Sequence, residues 1–474
     1  MPSSAELVAK DSSWGQQPEL NAIADLSPEL EKELEGLDGE FWVSREKLKE
    51  IVGRFREELE EGLRENGKSI PMNLSWVHDM PSGKEKSAFL TLNLGGTNLR
   101  VCNVTLHEDE PDLETPDTKS SLDQEQYKLP DHIKTSTAEE LWTYVAEKVQ
   151  DFLQDRGLDT TYSKEDPMPV GFTFSYPVTR NIDHAVLQTW TKGFDIKGEE
   201  GQDAAAQLRQ KLEERDLPLA MVCVINNTIG AMIASAYNDP STIIGAIFGT
   251  GCNAAYMVPL SSITKIDQND PRLQASGNKP KPNKMAINCE FGAFDNTHRV
   301  LTRTKYDKQI DEESPRPGEQ AFERLSAGLY LGEIFRLVLV DLADRGLVLT
   351  NQDTDKLRTP YTIDTGFLSQ IEDDESRHLT TTRTMFKESL NLSPNDQELE
   401  LSRRLAEIIA VRGARLCACG IAAICRQGGN REGHVAADGS VANKHPKFKR
   451  SADDGSGVGC AIIAAMEMER RGRA

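Results

Sequence analysis

Hydrophobic residues in the first part of the chain change from a helical spacing to a strand spacing. From Ser27 to Glu65, Leu and other apolar residues recur three and four positions apart among charged residues. This spacing predicts two amphipathic helices, each with one buried stripe. The runs 88–94 and 99–106 are mainly apolar and flank a glycine turn, which predicts two strands joined by a hairpin. Residues 108–131 are acidic and rich in turn formers, so an exposed loop is expected there.

The same two patterns alternate along the rest of the chain. Helical spacing predicts further helices over residues 137–154, 203–215, 320–344, 398–426 and 460–471. Apolar, β-branched runs predict further strands over residues 169–177, 222–225, 243–248 and 252–256. Residues 261–284 are rich in Pro, Asn and Lys and predict a loop. Helices and strands in one chain of this kind predict an α/β protein.

Length, charge and cysteine usage narrow the function classes. The chain has 474 residues, enough for two cores, because single cores stop growing beyond about 250–300 residues. Its net charge of −21 would be repelled by nucleic acid and by anionic membranes, whereas a metal-nucleotide or a neutral small molecule is compatible. The eight cysteines lie mostly in apolar runs without paired spacing and predict reduced core residues. Cys417, Cys419 and Cys425 are alternative thiolate ligands, but residues two apart face different sides of a helix, which disfavours a metal site.

The N-terminal residues and the hydropathy pattern bear on location. Residues 1–21 are polar, contain acids and lack an apolar centre, which is not typical of a signal or transit peptide. No apolar run approaches the ~20 residues that span a bilayer. We therefore expect a soluble intracellular protein with no membrane span, located in the cytoplasm, with the nucleus as the alternative.

The candidate chemistry is concentrated where the apolar run 222–225 ends in Asn226, Asn227, Thr228 and Gly230. Functional groups in open α/β sheets lie where strands leave the sheet, so two adjacent amides indicate a site for a polar ligand. A plain turn at a strand end is the alternative.

Two glycine turns suggest a place for phosphate. Gly95, Gly96, Thr97 and Asn98 separate one pair of predicted strands, and Gly249, Thr250 and Gly251 separate another. Glycine lets backbone N–H groups approach phosphate oxygens closely. The repetition indicates a duplicated architecture that holds a phosphate chain between two turns.

Several side chains could bind a polyol. Trp190 and Phe194 frame Thr191 and Lys192, and an apolar frame with a few polar groups is typical of small-molecule sites. Glu290 and Glu323 have amide neighbours and could accept hydrogen bonds from hydroxyl groups. An ordinary acid near a helix start is the alternative for each.

Taken together, these motifs resemble the eukaryotic hexokinase/glucokinase family, with a fungal character. The matching runs occur in family order and include LGGTNLR at 94–100, GFTFSYP at 171–177, WTKGF at 190–194, FGTGCN at 248–253 and NCE at 288–290. The resemblance implies the actin-like ATPase (ribonuclease H-like) α/β fold, with two lobes around a cleft. It implies a flexible tail at 1–25, a large lobe from 26–82 and 226–458, and a small lobe from 83–225 and 459–474.

The resemblance also implies a set of site residues. Hexose contacts carry over onto Ser175, Thr191, Lys192, Asn226, Asn227, Asn253, Glu290 and Glu323. Contacts to ATP with Mg²⁺ carry over onto Asn93, Gly95, Gly96, Thr97, Asn98, Thr250, Gly439 and Ser440, with no direct protein ligand to the metal. Glucose, mannose or fructose is the implied hexose.

The chain departs from the family at chemically linked positions. The family has Asp, the base that accepts the proton of the sugar 6-hydroxyl, where this chain has Asn227, and it has a Mg²⁺-associated Asp where this chain has Asn93. An amide cannot act as a base near neutral pH, and loss of a general base costs about 10²–10⁴ in rate. Lys192 is the other implied catalytic residue.

A shorter C-terminal part weakens the nucleotide prediction further. Residues 446–450 lead almost directly to 454–457, where the family usually has a further helix and strand beside the adenine pocket. The leading hypothesis is therefore a catalytically impaired hexokinase-like protein that senses hexose or carbon supply through a regulatory protein partner. An active ATP:D-hexose 6-phosphotransferase of low turnover and a scaffold that binds no ligand are the alternatives.

Overall fold

A computed structural model of the chain describes residues 24–107, 120–180, 182–190, 194–274, 281–429 and 432–444. The predicted helix 460–471, the first 23 residues of the predicted tail and most of the shortened C-terminal segment lie outside these ranges. Residue 180 is described as part of a strand, without its side chain.

Twelve strands occur in the described ranges. In chain order they are β1 (Asn73–Leu74), β2 (Ser87–Leu94), β3 (Asn98–Leu106), β4 (Ser120–Lys128), β5 (Met168–Phe174), β6 (Val178–Arg180), β7 (Ala185–Leu187), β8 (Leu219–Ile225), β9 (Thr242–Phe248), β10 (Cys252–Pro259), β11 (Lys284–Asn288) and β12 (His434–Asp438).

Fifteen α-helices occur in the same ranges. They are α1 (Pro28–Phe41), α2 (Arg45–Arg64), α3 (Asp131–Lys134), α4 (Ala138–Asp155), α5 (Leu158–Thr161), α6 (Ala204–Glu214), α7 (Asn227–Asn238), α8 (Lys305–Glu312), α9 (Ala321–Ser326), α10 (Gly328–Asp344), α11 (Asp355–Arg358), α12 (Thr365–Glu372), α13 (Thr380–Leu390), α14 (Asp396–Gln427) and α15 (Ser440–Lys444). The predicted helices α4, α6 and the pair α1 and α2 are confirmed. Side-chain caps begin several of them: Ser27 caps α1, Ser44 caps α2, and Thr137 forms a capping box with Glu140 at α4.

Two five-stranded sheets have related designs. The first has the order β4-β3-β2-β5-β8, and the second has the order β1-β11-β10-β9-β12. Each sheet contains a glycine hairpin: β2–β3 in the first and β9–β10 in the second. The first strand of each hairpin also pairs with a parallel strand, so that β2 pairs with β5 and β9 pairs with β12. This supports the duplicated architecture expected from the two glycine turns.

The described chain divides into two compact units. One comprises residues up to Val43, Arg303–Ile310 and Leu329–Ala414, and its core is formed by helices, with Leu34, Phe335 and Leu405 among its buried residues. The other comprises Ser44–Thr302, Asp311–Gly328 and residues from Arg415 onward, and it contains both five-stranded sheets. This division differs from the lobe boundaries predicted above, which stay a prediction.

Helix α7 contributes to a core with residues from both sheets. Its Met232 and Tyr237 are buried in one cluster with Phe89 of β2, Ala255 of β10 and Ala286 of β11. The opposite face of the first sheet packs against α4 and α6 in a separate cluster. The start of α7 is therefore fixed by packing within the unit that holds the candidate site.

Three predicted elements differ from the structure. Residues 120–128 form β4 rather than a loop, and α7 begins directly at Asn227, where only a turn was predicted. The predicted helix 320–344 is two helices, α9 and α10, separated at Ala327. The interruption brings Gly328 close to the second glycine turn, because its N–H donates to the Gly249 carbonyl at 2.8 Å.

Helix α14 is long and apolar enough to span a membrane by length and composition alone, and one such helix is weak evidence for a membrane span. Of the most apolar stretch of α14, 56% is buried inside the protein. Core helices of soluble proteins can be equally long and apolar. Seven cysteines in the described ranges are free thiols, and six of these are buried.

Candidate functional site

The adjacent amides occupy the junction between β8 and α7. Asn226 is the N-cap of α7, with extended backbone angles, and its Oδ1 accepts hydrogen bonds from the Thr228 N–H at 2.9 Å and the Thr228 hydroxyl at 2.6 Å. Asn is among the preferred N-cap residues because its side chain satisfies a helix N–H that has no backbone partner. Asn227 is half-buried at the first helical position, and the first turn of α7 contains no acid.

Asn288, at the end of β11, connects this junction to the next strand and to a carboxylate. Its Oδ1 accepts a hydrogen bond from Asn253 Nδ2 at 2.8 Å and lies 3.3 Å from the Thr228 hydroxyl. Its Nδ2 donates to Glu290 Oε1 at 2.7 Å. Amides therefore link Asn226 to Glu290 through Thr228 and Asn288, and each link fixes the orientation of the next side chain.

Glu290, two residues after the end of β11, adopts a left-handed backbone conformation. Its φ is 56°, which costs of order 1–3 kcal/mol for a residue other than glycine. Asn253 Oδ1 accepts hydrogen bonds from the Glu290 N–H at 2.9 Å and the Ala254 N–H at 2.7 Å. A carboxylate has about four acceptor positions, so the bond from Asn288 leaves Glu290 able to accept hydroxyl groups.

Glu323, on α9, reaches the second glycine turn. Its Oε2 accepts a hydrogen bond from the Cys252 N–H at 3.0 Å. A Cβ added to Gly251 would lie 2.5 Å from that oxygen, and one added to Gly292 would lie 2.6 Å from Gln320 Oε1. A side chain at either glycine would therefore require the end of the Glu323 or Gln320 side chain to move. Burial, followed by the nearby Glu323 charge, raises the pKa of the Cys252 thiol well above its usual value.

The first glycine turn joins β2 to β3. The Gly95 N–H donates to the Asn98 carbonyl at 3.0 Å, which closes the turn around Gly96 and Thr97. Asn93, the second-to-last residue of β2, is half-buried. It pairs in strand register with Arg100 on β3 and with Thr173 on β5. Thr173 in turn pairs with Ile225, the last residue of β8. Asn93 thus lies two strands, roughly 10 Å, from the strand that leads to Asn227.

The second glycine turn packs against the end of β12. The Gly249 N–H donates to the Gly251 carbonyl at 3.0 Å, and Thr250 between them is exposed. Gly439 has φ +111°, and a Cβ there would lie 2.6 Å from the Phe248 carbonyl oxygen. A Cβ on Gly249 would lie 3.3 Å from the Ser440 nitrogen. Glycine at position 439 allows these backbones to approach closely, which leaves main-chain N–H groups near the second turn.

The remaining predicted site residues follow β5. Ser175 is buried directly after the last residue of that strand. Trp190 and Phe194 stack with ring centroids 5.0 Å apart and an interplanar angle of 19°. Thr191 and Lys192, between them in sequence, lie outside the described residues.

The second glycine turn fits a phosphate group of a nucleotide, because the close approach of its backbone to Gly439 and Ser440 leaves little room for side chains. Within the described ranges no group of three or more His, Cys, Asp or Glu residues could hold a metal ion. A Mg²⁺ ion at this site would be held mainly by phosphate oxygens and water, as is usual for Mg²⁺.

The structure brings Asn226, Asn253 and Glu290 into one hydrogen-bonded network, and Glu323 binds the residue next to Asn253. The sequence analysis named Thr228 only as part of the polar strand end and assigned no site role to it or to Asn288, the two residues that connect this network. Asn288 ends β11, which the sequence analysis did not predict as a strand, so the only sequence signal was its position two residues before Glu290.

Comparison with known proteins gives consistent matches over nearly the whole chain. Two sequence profiles described as Hexokinase match residues 33–237 and 243–453. The hexokinase of Emericella nidulans is 46% identical, covering 95% of this chain and 93% of that protein. Hexokinase-1 of Saccharomyces cerevisiae is 43% identical, covering 96% of each.

A solved structure extends the comparison to the fold. The hexokinase from Schistosoma mansoni complexed with glucose has a TM-score of 0.80 and 31% sequence identity, covering 92% of this chain and 99% of that one. This likeness confirms the predicted α/β, actin-like ATPase fold class.

Proposed function

Since the chain belongs to the hexokinase family, we propose that it binds a hexose and transfers phosphate to it slowly or not at all. The observation that carries the proposal is an intact network from Asn226 to Glu290 beside an amide, Asn227, at the first position of α7. Glucose is the first ligand to test, because the related Schistosoma mansoni protein is complexed with it. Mannose and fructose are the next candidates.

Hexose binding requires hydroxyl partners, and the network provides them in fixed orientations. Glu290 is held by Asn288 and Asn253, and Glu323 is held against the second glycine turn. Because these side chains are oriented before a ligand arrives, binding costs little conformational entropy. Asn226 uses its Oδ1 to cap α7, which directs the Nδ2 donor of the same amide away from the helix.

Phosphate transfer requires removal of a proton from the attacking hydroxyl. Asn227 can orient that hydroxyl but cannot accept its proton, and the first turn of α7 contains no other acid. The absence of a base at this position corresponds to a loss of about 10²–10⁴ in rate. When bound, ATP with Mg²⁺ supplies the phosphoryl group. Gly96, Thr97 and Ser440 would hold its phosphates through main-chain N–H groups, while the neutral Asn93 would attract the metal less than a carboxylate does.

A chain that binds hexose without turnover is suited to sensing. We propose a role in carbon or nutrient regulation, exerted through a protein partner in the cytoplasm or nucleus. The second candidate, a working hexokinase of low turnover, is favoured by the 46% identity to a protein named hexokinase.

Restoration of the two carboxylates tests the proposal. Purified wild-type chain, Asn227→Asp and the double variant Asn227→Asp with Asn93→Asp are compared in a coupled assay of glucose phosphorylation. Asn238→Asp is the matched control, because it adds a carboxylate to an exposed position at the other end of α7. Mass spectrometry of each sample excludes deamidation of Asn227 or Asn93.

We expect the double variant to exceed the wild-type rate by at least about 100-fold, and Asn238→Asp to change nothing. Calorimetry with glucose should show binding by the wild-type chain. A wild-type rate within tenfold of the double variant would overturn the impaired-enzyme proposal in favour of the working hexokinase. Absence of heat with both glucose and mannose would favour a scaffold that binds no hexose.

A further inference from the structure

Lys265 places a half-buried amine beside the start of β1. Its Nζ donates hydrogen bonds to the Pro71 and Met72 carbonyls, each at 2.7 Å. Among the residues that the structure describes, no carboxylate forms an ion pair with this amine. Burial alone lowers its pKa to about 8, because the charged form is poorly hydrated there. At pH 7.5, roughly a quarter of these side chains are therefore neutral.

The two carbonyls leave the lone pair of the neutral amine unoccupied. A neutral amine has two N–H donors and one lone pair, and the carbonyls take up both donors. The lone pair then points away from them, and a lysine desolvated in this way is a nucleophile. Ser262 and Thr264 of the same loop are exposed, so Lys265 lies close enough to the surface for a small reagent to reach it.

The same carbonyls lie next to the backbone that carries two members of the amide network. Met72 is fully buried immediately before β1, and its N–H donates to the Cys289 carbonyl at 3.2 Å. Strand β1 pairs with the end of β11, at Ile287 and Asn288. Cys289 lies between Asn288 and Glu290 in sequence. The two lysine hydrogen bonds therefore support backbone that borders the candidate hexose site.

We propose that Lys265 is a site of acylation by small acyl thioesters, and that its acylation weakens hexose binding. The Nζ lone pair attacks the thioester carbonyl carbon, so that an N–C bond forms and the C–S bond breaks. The sulfur leaves as a thiolate and takes up the proton that the nitrogen loses, and nothing is oxidised or reduced. The effect on binding rests on the hexose site proposed above.

Acylation removes part of the support of the backbone before β1. The product amide has a single N–H, so either the Pro71 or the Met72 carbonyl loses its hydrogen bond. The amide carries no charge, and the acyl group needs space beside the same backbone. A displacement of Met72 acts directly on the Cys289 carbonyl, and the orientations of Asn288 and Glu290 depend on that backbone.

Reaction of the full chain with S-acetyl-N-acetylcysteamine at pH 7.5 tests the site. Peptide mass spectrometry follows the acetylation of each lysine with time. Lys148 is the internal reference, because it is also half-buried but its hydrogen bond to Asp151, at 2.7 Å, raises its pKa. We expect Lys265 to react at least about tenfold faster than Lys148 in the folded chain. The two should react at similar rates in urea, where the burial is lost.

Calorimetry with glucose tests the consequence. Lys265→Arg is the matched control, because a guanidinium can donate to both carbonyls but stays protonated and does not attack thioesters. Once Lys265 is fully acetylated, we expect the glucose Kd of the wild type to rise at least about fivefold. The Kd of Lys265→Arg, treated for the same time, should change less than twofold. Thermal unfolding of the untreated variant checks that it is folded.

A time course of the wild type gives the same test without a substitution, because loss of affinity should follow the acetylation of Lys265 rather than that of Lys148. Two results would overturn the inference: Lys265 reacting no faster than Lys148, or unchanged glucose affinity after Lys265 is acetylated. Both leave the proposed function intact, because the untreated chain still binds glucose. If the untreated chain binds no glucose, the proposed function and the predicted effect on binding fail together, whereas mass spectrometry still decides whether Lys265 is the acylated residue.

Discussion

The Asn288 side chain contacts three residues of the candidate site, as many as the side chain of the predicted residue Asn253 does. It contacts Thr228, Asn253 and Glu290 through both atoms of its amide. We expect Asn288→Ala to weaken glucose binding by about 10- to 100-fold, because it leaves buried polar partners unsatisfied at roughly 1–3 kcal/mol. Calorimetry measures the change.

Asn73→Ala is the matched control for that variant. Asn73 pairs with Asn288 in strand register, but its buried Nδ2 has no hydrogen-bond partner among the described residues. The control should bind glucose within about threefold of the wild type. Equal losses in both variants would show that disturbance of the β1–β11 pairing, rather than the amide network, controls affinity.

Lys265 gives the chain a distinct pH dependence. Its ammonium donates to the Pro71 and Met72 carbonyls, each at 2.7 Å, and burial lowers its pKa from 10.5 to about 8. Between these two values the unfolded state binds a proton that the folded state does not. The stability contribution is therefore complete above pH 10.5 and is lost as pH falls through about 8.

Urea unfolding at pH 7, 8.5 and 10 measures this effect. Relative to Lys265→Met, the wild-type free energy of unfolding should rise by on the order of 2 kcal/mol from pH 7 to pH 10. Lys211→Met is the control, because hydrogen bonds to Glu139 and Glu214 raise the pKa of Lys211 instead. A difference that stays constant with pH would contradict the lowered pKa of Lys265.

At the residue level the sequence identified polar groups near strand ends, but not the connections between them. Asn226 was found because it follows an apolar run, and Glu290 because it is a carboxylate with amide neighbours. Asn288 was missed because it belongs to a strand, and its role depends on Thr228 and Asn253, which are distant in sequence. The predicted contacts of Thr191 and Lys192 stay predictions.

Helix α7 must lie close to β9 to present Asn226 and Asn227. A Cβ added to Gly245 of β9 would lie 2.2 Å from the Thr228 carbonyl oxygen and 2.6 Å from the Met232 nitrogen. Gly245→Ala should therefore displace the start of α7, lower stability by about 1–3 kcal/mol and weaken glucose binding. Thermal unfolding and calorimetry measure the two effects.

Gly53→Ala provides the comparison. Gly53 lies inside α2, and an added Cβ there would meet nothing within 4 Å. The substitution should raise stability by about 1 kcal/mol through helix propensity and leave glucose affinity unchanged. If Gly245→Ala kept the stability and glucose affinity seen with Gly53→Ala, close packing of α7 on β9 would not be required to position Asn226 and Asn227.

At the level of helices and strands, the differences between the predicted and the observed elements have identifiable causes. Strand β4 alternates polar and charged residues and is largely exposed at the sheet edge, so no hydrophobic pattern marked it. The break between α9 and α10 was hidden because apolar spacing continues across Ala327. Its cause is tertiary, since Gly328 must approach Gly249. Strands β2, β5 and β9, buried along most of their length, were predictable from their apolar runs.

For the whole molecule, the fold class followed from the order of motifs, whereas the pairing of distant segments did not. β12 pairs in parallel with β9 although nearly 190 residues separate them along the chain, and β1 pairs with β11 over a similar distance. No local pattern encodes such pairing, because it depends on which buried faces meet after the intervening chain has folded.

The apolar helix α14 and the overall charge lead to opposite expectations about membranes. By composition α14 could cross a bilayer, but 56% of its apolar window is buried inside the protein. A net charge of −21 would also repel anionic lipid surfaces. We therefore expect the folded chain not to float with neutral or anionic vesicles in a density gradient at about 0.15 M salt, where charges more than roughly 8 Å apart are screened.

Vesicles that contain cationic lipid serve as the control in the same gradient. They should bind the chain at low salt and release it as salt increases, because that attraction is purely electrostatic. Flotation with neutral vesicles that persists at high salt would show insertion of an apolar segment instead. In that case burial of α14 in the folded chain would not prevent membrane insertion, and the expectation of a soluble protein would be wrong.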